Sequence, residues 1–164
     1  MAATAAVAAS GLLAQVRFDH LQKDHLPEVR AIVVQFFWLD LDNDGDVDLL
    51  PIGDGQTALL RTAPLRYSAT PSPIPGSFRH RAAVMADFDG DGDLDVAIAR
   101  DATNRVYRNT GNFTFVDDTQ TALGFNSFDA RAVAAGDVDG DGDADLVFGS
   151  LSAPDVLWSN DGTG

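Results

Sequence analysis

Asp87-Phe88-Asp89-Gly90-Asp91-Gly92-Asp93-Leu94-Asp95 sets five aspartates on alternate positions and runs straight into the apolar Val96-Ala97-Ile98-Ala99. Two other stretches repeat it: Asp40-Leu41-Asp42-Asn43-Asp44-Gly45-Asp46-Val47-Asp48 begins 47 residues earlier, and Asp137-Val138-Asp139-Gly140-Asp141-Gly142-Asp143-Ala144-Asp145 begins 50 residues later. Five carboxylates within nine residues repel one another, so a folded chain that keeps them together needs a counter-charge. A hard divalent cation supplies one, and calcium takes six to eight oxygen ligands at roughly 2.3 to 2.6 Å.

In the second loop the expected ligands are the carboxylates of Asp87, Asp89, Asp91 and Asp95 and the backbone oxygen of Asp93, whose side chain faces water. The same reading names Asp40, Asp42, Asp44, Asp46 and Asp48 in the first loop and Asp137, Asp139, Asp141, Asp143 and Asp145 in the third, for about three calcium sites. Gly45, Gly92 and Gly142 hold the sixth position, where the chain must turn sharply. An EF-hand loop also begins with this spacing, but it needs a bidentate Glu at the twelfth position and a helix on either side. The twelfth residues here are Pro51, Ile98 and Phe148, and the flanks Val47–Ile52, Leu94–Ala99 and Ala144–Phe148 are short apolar runs of strand length. Each loop therefore lies between two strands. A single Asp/Gly tract is ordinarily a solvated charge run. Three copies in fixed phase with apolar strands favour a metal.

The chain has 164 residues, 45% of them hydrophobic, and no cysteine, a composition that suits a globular core without disulfides. Its net charge of -14 is concentrated in the loops, which hold 15 of the 25 acidic residues and leave 10 against 11 basic ones elsewhere. That near-neutral remainder has no basic stripe for nucleic acid. No stretch reaches the roughly 18 to 20 apolar residues of a membrane span. Ala2–Ala14 is apolar and small, but no Lys or Arg precedes it as a signal peptide requires.

Counted from the first Asp of each loop, Leu59, Val106 and Val156 all fall at +19, so the repeat continues past the acidic stretch. Each unit offers a strand before the loop, one after it, one near +19 and one after an Asn/Gly turn such as Asn109-Thr110-Gly111 or Asn160-Asp161-Gly162. In the second unit the return strand reads Phe113–Val116. The expected fold is all-β: tandem four-stranded antiparallel meanders, as partial β-propeller blades or a solenoid-like stack. The first strands of the second and third units, Ala82–Ala86 and Ala132–Gly136, are built of small residues, as innermost strands require. The first unit departs, with a bulky leading strand Ile32–Leu39, Thr62-Ala63-Pro64 for its turn, and Pro71–Gly76 as a surface loop. The units are residues 32–78, 79–128 and a truncated 129–164. Residues 1–31 hold the end of a preceding repeat, because Thr4–Leu12 resembles the close of the second unit at Thr119–Phe125. Three and a fraction blades leave open sheet edges, to be covered by further copies or adjoining repeats in a ring or fibre.

Asp87–Ala99, followed by Asn104–Phe115, resembles the FG-GAP/VCBS repeat family and the calcium-binding blades of the integrin α-chain propeller, over about Ile32 to Gly164. The resemblance implies an extracellular or cell-surface module used for adhesion, recognition or scaffolding, with a carbohydrate or cell-surface protein as partner, and with the aspartates above as its metal ligands.

Other chemistry is thin. His20 and His25 lack the spacing of a helical zinc pair, His80 is isolated, and Gly149-Ser150-Leu151-Ser152-Ala153 is no nucleophile elbow. Trp38 and Trp158 are expected in core or inter-blade packing rather than as sugar platforms. The expectation is a non-enzymatic, calcium-stabilised structural or adhesive protein. The alternatives are the scaffold of a polysaccharide-acting enzyme and a calcium-dependent carbohydrate-binding module.

Overall fold

The structure, a computed structural model, describes residues 33–54, 57–64, 66–75, 79–124 and 126–162. The apolar start of the chain with its preceding-repeat reading, and His20 and His25, lie outside the described residues.

Eleven strands make three antiparallel sheets among the described residues, with one turn of helix between the second and third. Sheet 1 is the meander β1 (Val33–Leu39), β2 (Asp48–Gly53), β3 (Thr57–Ala63), β4 (Arg66–Pro71). Sheet 2 repeats it with β5 (His80–Ala86), β6 (Asp95–Arg100), β7 (Arg105–Asn109) and β8 (Phe115–Asp117), and α1 (Thr119–Ala122) follows. Sheet 3 has three strands, β9 (Ala130–Gly136), β10 (Asp145–Ser150) and β11 (Val156–Trp158). The all-β, blade-like architecture expected from the repeats is what the chain forms.

Period-two alternation gives each sheet two apolar faces. Leu50 and Ile52 of β2 and Phe37 of β1 pack on Ala83, Met85, Val96, Ile98 and Tyr107 of sheet 2. The opposite face of sheet 2, with Ala97, Ala99 and Val106, packs on Leu146, Phe148 and Trp158 of sheet 3. The first strands β1, β5 and β9 neighbour one another in that order, so the Ala-rich β5 and β9 sit where sheets crowd together. Gln35 of β1 ties this seam by accepting the Ala83 N–H at 3.1 Å.

Four expectations need correction. Trp158 packs edge-on to Phe148 and stacked on Phe128 between sheets, but Trp38 is 61% exposed on the outer face of sheet 1 against Tyr67. The Pro71–Gly76 stretch is not wholly a surface loop, because Ile74 is buried in the first core. The return strand β8 starts at Phe115, since Gly111, Asn112 and Phe113 all have positive φ and the turn consumes them. The shared +19 register also gives way: Leu49 pairs with Leu59, Val96 with Tyr107 and Leu146 with Trp158. The connection between second and third strands lengthens from residues 54–56 to 101–104 to 151–155, so each later strand slips by one residue. The slip of one in sheet 2 turns Val106 to the other face, and the slip of two in sheet 3 keeps the face but sets Trp158 rather than Val156 opposite Leu146, so Tyr107 and Trp158 are the counterparts of Leu59.

Candidate metal centres

Each acidic loop joins the first strand of a sheet to its second, and the three lie at one end of the sheets. In every loop the first, third and ninth carboxylates converge, with one oxygen from each within 4.8 Å of the others: Asp40, Asp42, Asp48; Asp87, Asp89, Asp95; Asp137, Asp139, Asp145. All-oxygen clusters of this spacing suit calcium or magnesium and not the softer metals.

The ninth residue is the buried one. Asp48, Asp95 and Asp145 are at most 1% exposed, and each carboxylate receives two backbone N–H bonds. One comes from the second residue of its own loop, Leu41, Phe88 or Val138, at 2.9, 2.9 and 2.7 Å. The other comes from within the third strand, at its end or just past it, from Arg61, Asn109 or Asn160, at 2.6, 2.7 and 2.7 Å. One side chain thus closes the loop and staples it to the sheet, while each oxygen keeps a lone pair for a cation. Burial pushes the carboxyls of Asp48 and Asp95 up, that of Asp95 to about 6, against the pull of those N–H groups. At Asp145, under the narrower third sheet, the N–H groups of Val138 and Asn160 hold the carboxyl below its ordinary value.

The first residue shapes the loop from inside. Asp87 accepts from Gly90 and Gly92 at 2.8 and 3.0 Å, and Asp137 from Gly140 and Gly142 at 2.6 and 3.1 Å. The fourth and sixth positions run at positive φ, where glycine is unstrained; Asn43 takes the fourth place in the first loop at φ 60°.

The remaining aspartates separate from the clusters. The fifth, Asp44, Asp91 and Asp141, accept the N–H of the seventh at 2.8, 2.9 and 3.0 Å and stand outside the three-carboxylate groups. The seventh does not simply face water. Asp46 pairs with Arg61 at 2.6 Å, and half-buried Asp93 turns toward the turn at Gly111, where an added methyl would lie 3.3 Å from its carboxylate. Asp143 likewise lies against the turn glycine Gly162.

Arg61, Asn109 and Asn160 are partners that sequence reading treated only as strand or turn residues. Asn109 and Asn160 each recur 14 or 15 residues beyond the ninth aspartate, a spacing that would have flagged them.

A cavity of about 400 Å³ opens beside the second loop, between sheets 2 and 3. Arg108, 3.7 Å from Asp89 and 3.8 Å from Asp118, stands on one wall, and Trp158 and Leu146 form an apolar one.

Among the described residues no helix is long and apolar enough to cross a membrane. Residues 40–98 and 87–148 match a family model described as FG-GAP-like repeat, which together is more than half of the chain. No curated protein matches the chain. A solved structure of an Agrocybe aegerita lectin, described for its specific recognition of non-reducing terminal N-acetylglucosamine, is similar at 22% identity and a TM-score of 0.46. The likeness covers 77% of this chain and 38% of the lectin's, so the chain spans well under half of that lectin's length.

Proposed function

The chain belongs to the FG-GAP-like repeat family, and from that premise we propose that it is an extracellular structural or adhesive module, a scaffold and not a catalyst, whose three acidic loops each bind calcium. One observation carries the reading: the same three loop positions converge in all three repeats. Repulsion within such a cluster opposes folding, and a captured dication converts it into a cross-link between the strands that the loop joins. Three dications would bring the net charge from -14 to -8. Calcium sites of extracellular modules work at roughly 10⁻⁴ to 10⁻³ M, levels met outside cells, which is the ground for the location.

Equilibrium dialysis with calcium, paired with thermal unfolding in calcium and in chelator, tests this. About three ions per chain are expected, each worth about 2.7 kcal/mol when free calcium is a hundredfold above its dissociation constant. Asp89→Ala should remove one ion and part of the thermal shift. A melting temperature indifferent to calcium would refute the reading.

The cavity between sheets 2 and 3 favours a second reading, a carbohydrate-binding module. Its Arg108, Asp118, Thr121 and Ser159 offer polar groups beside an apolar wall that includes Trp158, a combination suited to a polyhydroxylated ligand. Calcium-dependent retention on immobilised sugars, lost in Arg108→Ala, is expected if it holds.

A further inference from the structure

Two of the three acidic loops are joined by a residue that belongs to neither. Ser159 and Asn160, directly after β11, are bonded to carboxylates of the third loop: the Ser159 hydroxyl donates to Asp139 at 3.0 Å, and the Asn160 N–H donates to Asp145 at 2.7 Å. From there the Asn160 side-chain amide crosses to the second loop and donates to the Phe88 carbonyl at 2.7 Å, with a longer bond of 3.3 Å to Ala144 of its own sheet. The Phe88 carbonyl belongs to the peptide that leads into Asp89, while the Phe88 N–H, in the peptide that follows Asp87, is taken by Asp95 at 2.9 Å. Both peptides flanking Phe88 are therefore fixed, one from within the loop and one from the neighbouring sheet. Because a peptide plane leaves only φ and ψ free, these two bonds restrict where the Asp87 and Asp89 carboxylates can stand.

The corresponding residue of sheet 2 does half of this. Asn109 gives its N–H to Asp95 and its amide to Leu94 at 3.3 Å, but among the described residues it donates nothing to the first loop.

We propose that Asn160 is a positioning residue that couples the second and third loops, so that calcium held by one raises the affinity of the other, while the first loop fills independently. The coupling rests on the calcium reading above. When Asp139 and Asp145 are drawn to fixed places, Ser159 and Asn160 are fixed with them, and the amide stands ready for Phe88. The second loop then has less backbone freedom left to lose. Ordering that two sites share falls on whichever fills first, which is positive coupling, and by linkage it acts equally in both directions. Charge alone gives the opposite sign. A filled loop is less negative, so its neighbour attracts an ion less strongly.

Calorimetric calcium titration of the full chain tests it, with a loop disabled by replacing its third aspartate. Asp42→Ala keeps the second and third loops, and adding Asp139→Ala or Asp89→Ala leaves one of them alone. The product of the two affinities in the paired chain should exceed that of the single-loop chains by about fivefold or more. Asn160→Ala should bring this ratio to one or below. Ser159→Ala should lower it too, and it carries the test if Asn160→Ala alters the far-ultraviolet dichroism. Asp139→Ala by itself keeps the first and second loops, whose ratio to their own single-loop chains should not exceed one. A ratio of one or below for the second and third loops, an excess that survives Asn160→Ala, or an equal excess between the first and second would overturn the coupling and leave the calcium reading standing. Loops that take up no calcium in any of these chains would overturn both.

Discussion

Asn160, in the turn after β11, donates its side-chain amide to the main-chain carbonyl of Phe88 in the second acidic loop at 2.7 Å, 72 residues away in the chain. The same residue gives its backbone N–H to Asp145 at 2.7 Å and accepts the Gly162 N–H at 3.2 Å. One side chain thus joins the turn of sheet 3 to the loop of sheet 2. Asn160→Ala leaves the Phe88 carbonyl without that donor and should cost about 1 to 3 kcal/mol in urea unfolding. An unchanged midpoint would show that the two sheets are held by their apolar core alone.

The ninth and third aspartates of a loop should differ sharply once metal is stripped away. Asp95→Ala orphans the N–H groups of Phe88 and Asn109, each worth roughly 1 to 3 kcal/mol, so a loss of about 2 to 5 kcal/mol is expected in chelator. Asp89→Ala removes a carboxylate held by one N–H at 3.3 Å and a long pair with Arg108, and it relieves repulsion; its stability in chelator should stay within about 0.5 kcal/mol. Equal losses would mean that both residues are structural.

Two buried groups oppose each other in pH. Asp95 rises to about 6, chiefly by burial, so the metal-free fold holds its proton more tightly than the unfolded chain. Its contribution is complete below an ordinary value of 3.8 and is lost as pH rises through about 6. His80 falls to about 4, through burial and then the charge of Arg100, so its contribution is complete above 6.5 and is lost as pH falls through about 4. Unfolding of His80→Gln in chelator should therefore show stability dropping from pH 4.5 to 7, with the drop smaller in His80→Gln/Asp95→Asn. With calcium present the order should reverse, since the ion takes ionised carboxylates. A profile unaffected by Asp95→Asn would refute the assignment.

Loop conformation can be tested where no side chain intervenes. Gly92 runs at φ 95° with nothing within 4 Å of an added methyl, so Gly92→Ala meets backbone strain alone, about 1 to 2 kcal/mol. Asn43, at φ 60°, already tolerates the left-handed region, and Asn43→Gly should shift stability by less than about 1 kcal/mol. Differential scanning calorimetry reads both, and a neutral Gly92→Ala would show that the loop can relax.

Much of this was legible from residues such as Asp87 to Ala99. Alternating acids, glycines at set offsets and a following apolar run are local signals, because charge repulsion and backbone sterics act between near neighbours. They led to the strands, the loops between them and the carboxylates that gather. The division of labour within a loop was not legible. Asp91 and Asp95 have the same chemistry and the same spacing, yet one turns onto its own loop and the other is buried beneath the sheet. Trp38 was likewise expected inside, since hydrophobicity does not say which of two sheet faces meets a neighbour.

The chain's order of residues alone determined the repeat, the all-β elements and the three acidic turns, since period-two patterning and clustered charge are written in adjacent positions. Only the tertiary structure decided that Asp95 meets Asn109, that Asn160 meets Phe88, and that Phe36 and Trp38 face outward. Those outcomes depend on strand register, and register is set by the packing of whole sheets and the lengths of their connections, which no short window of sequence contains.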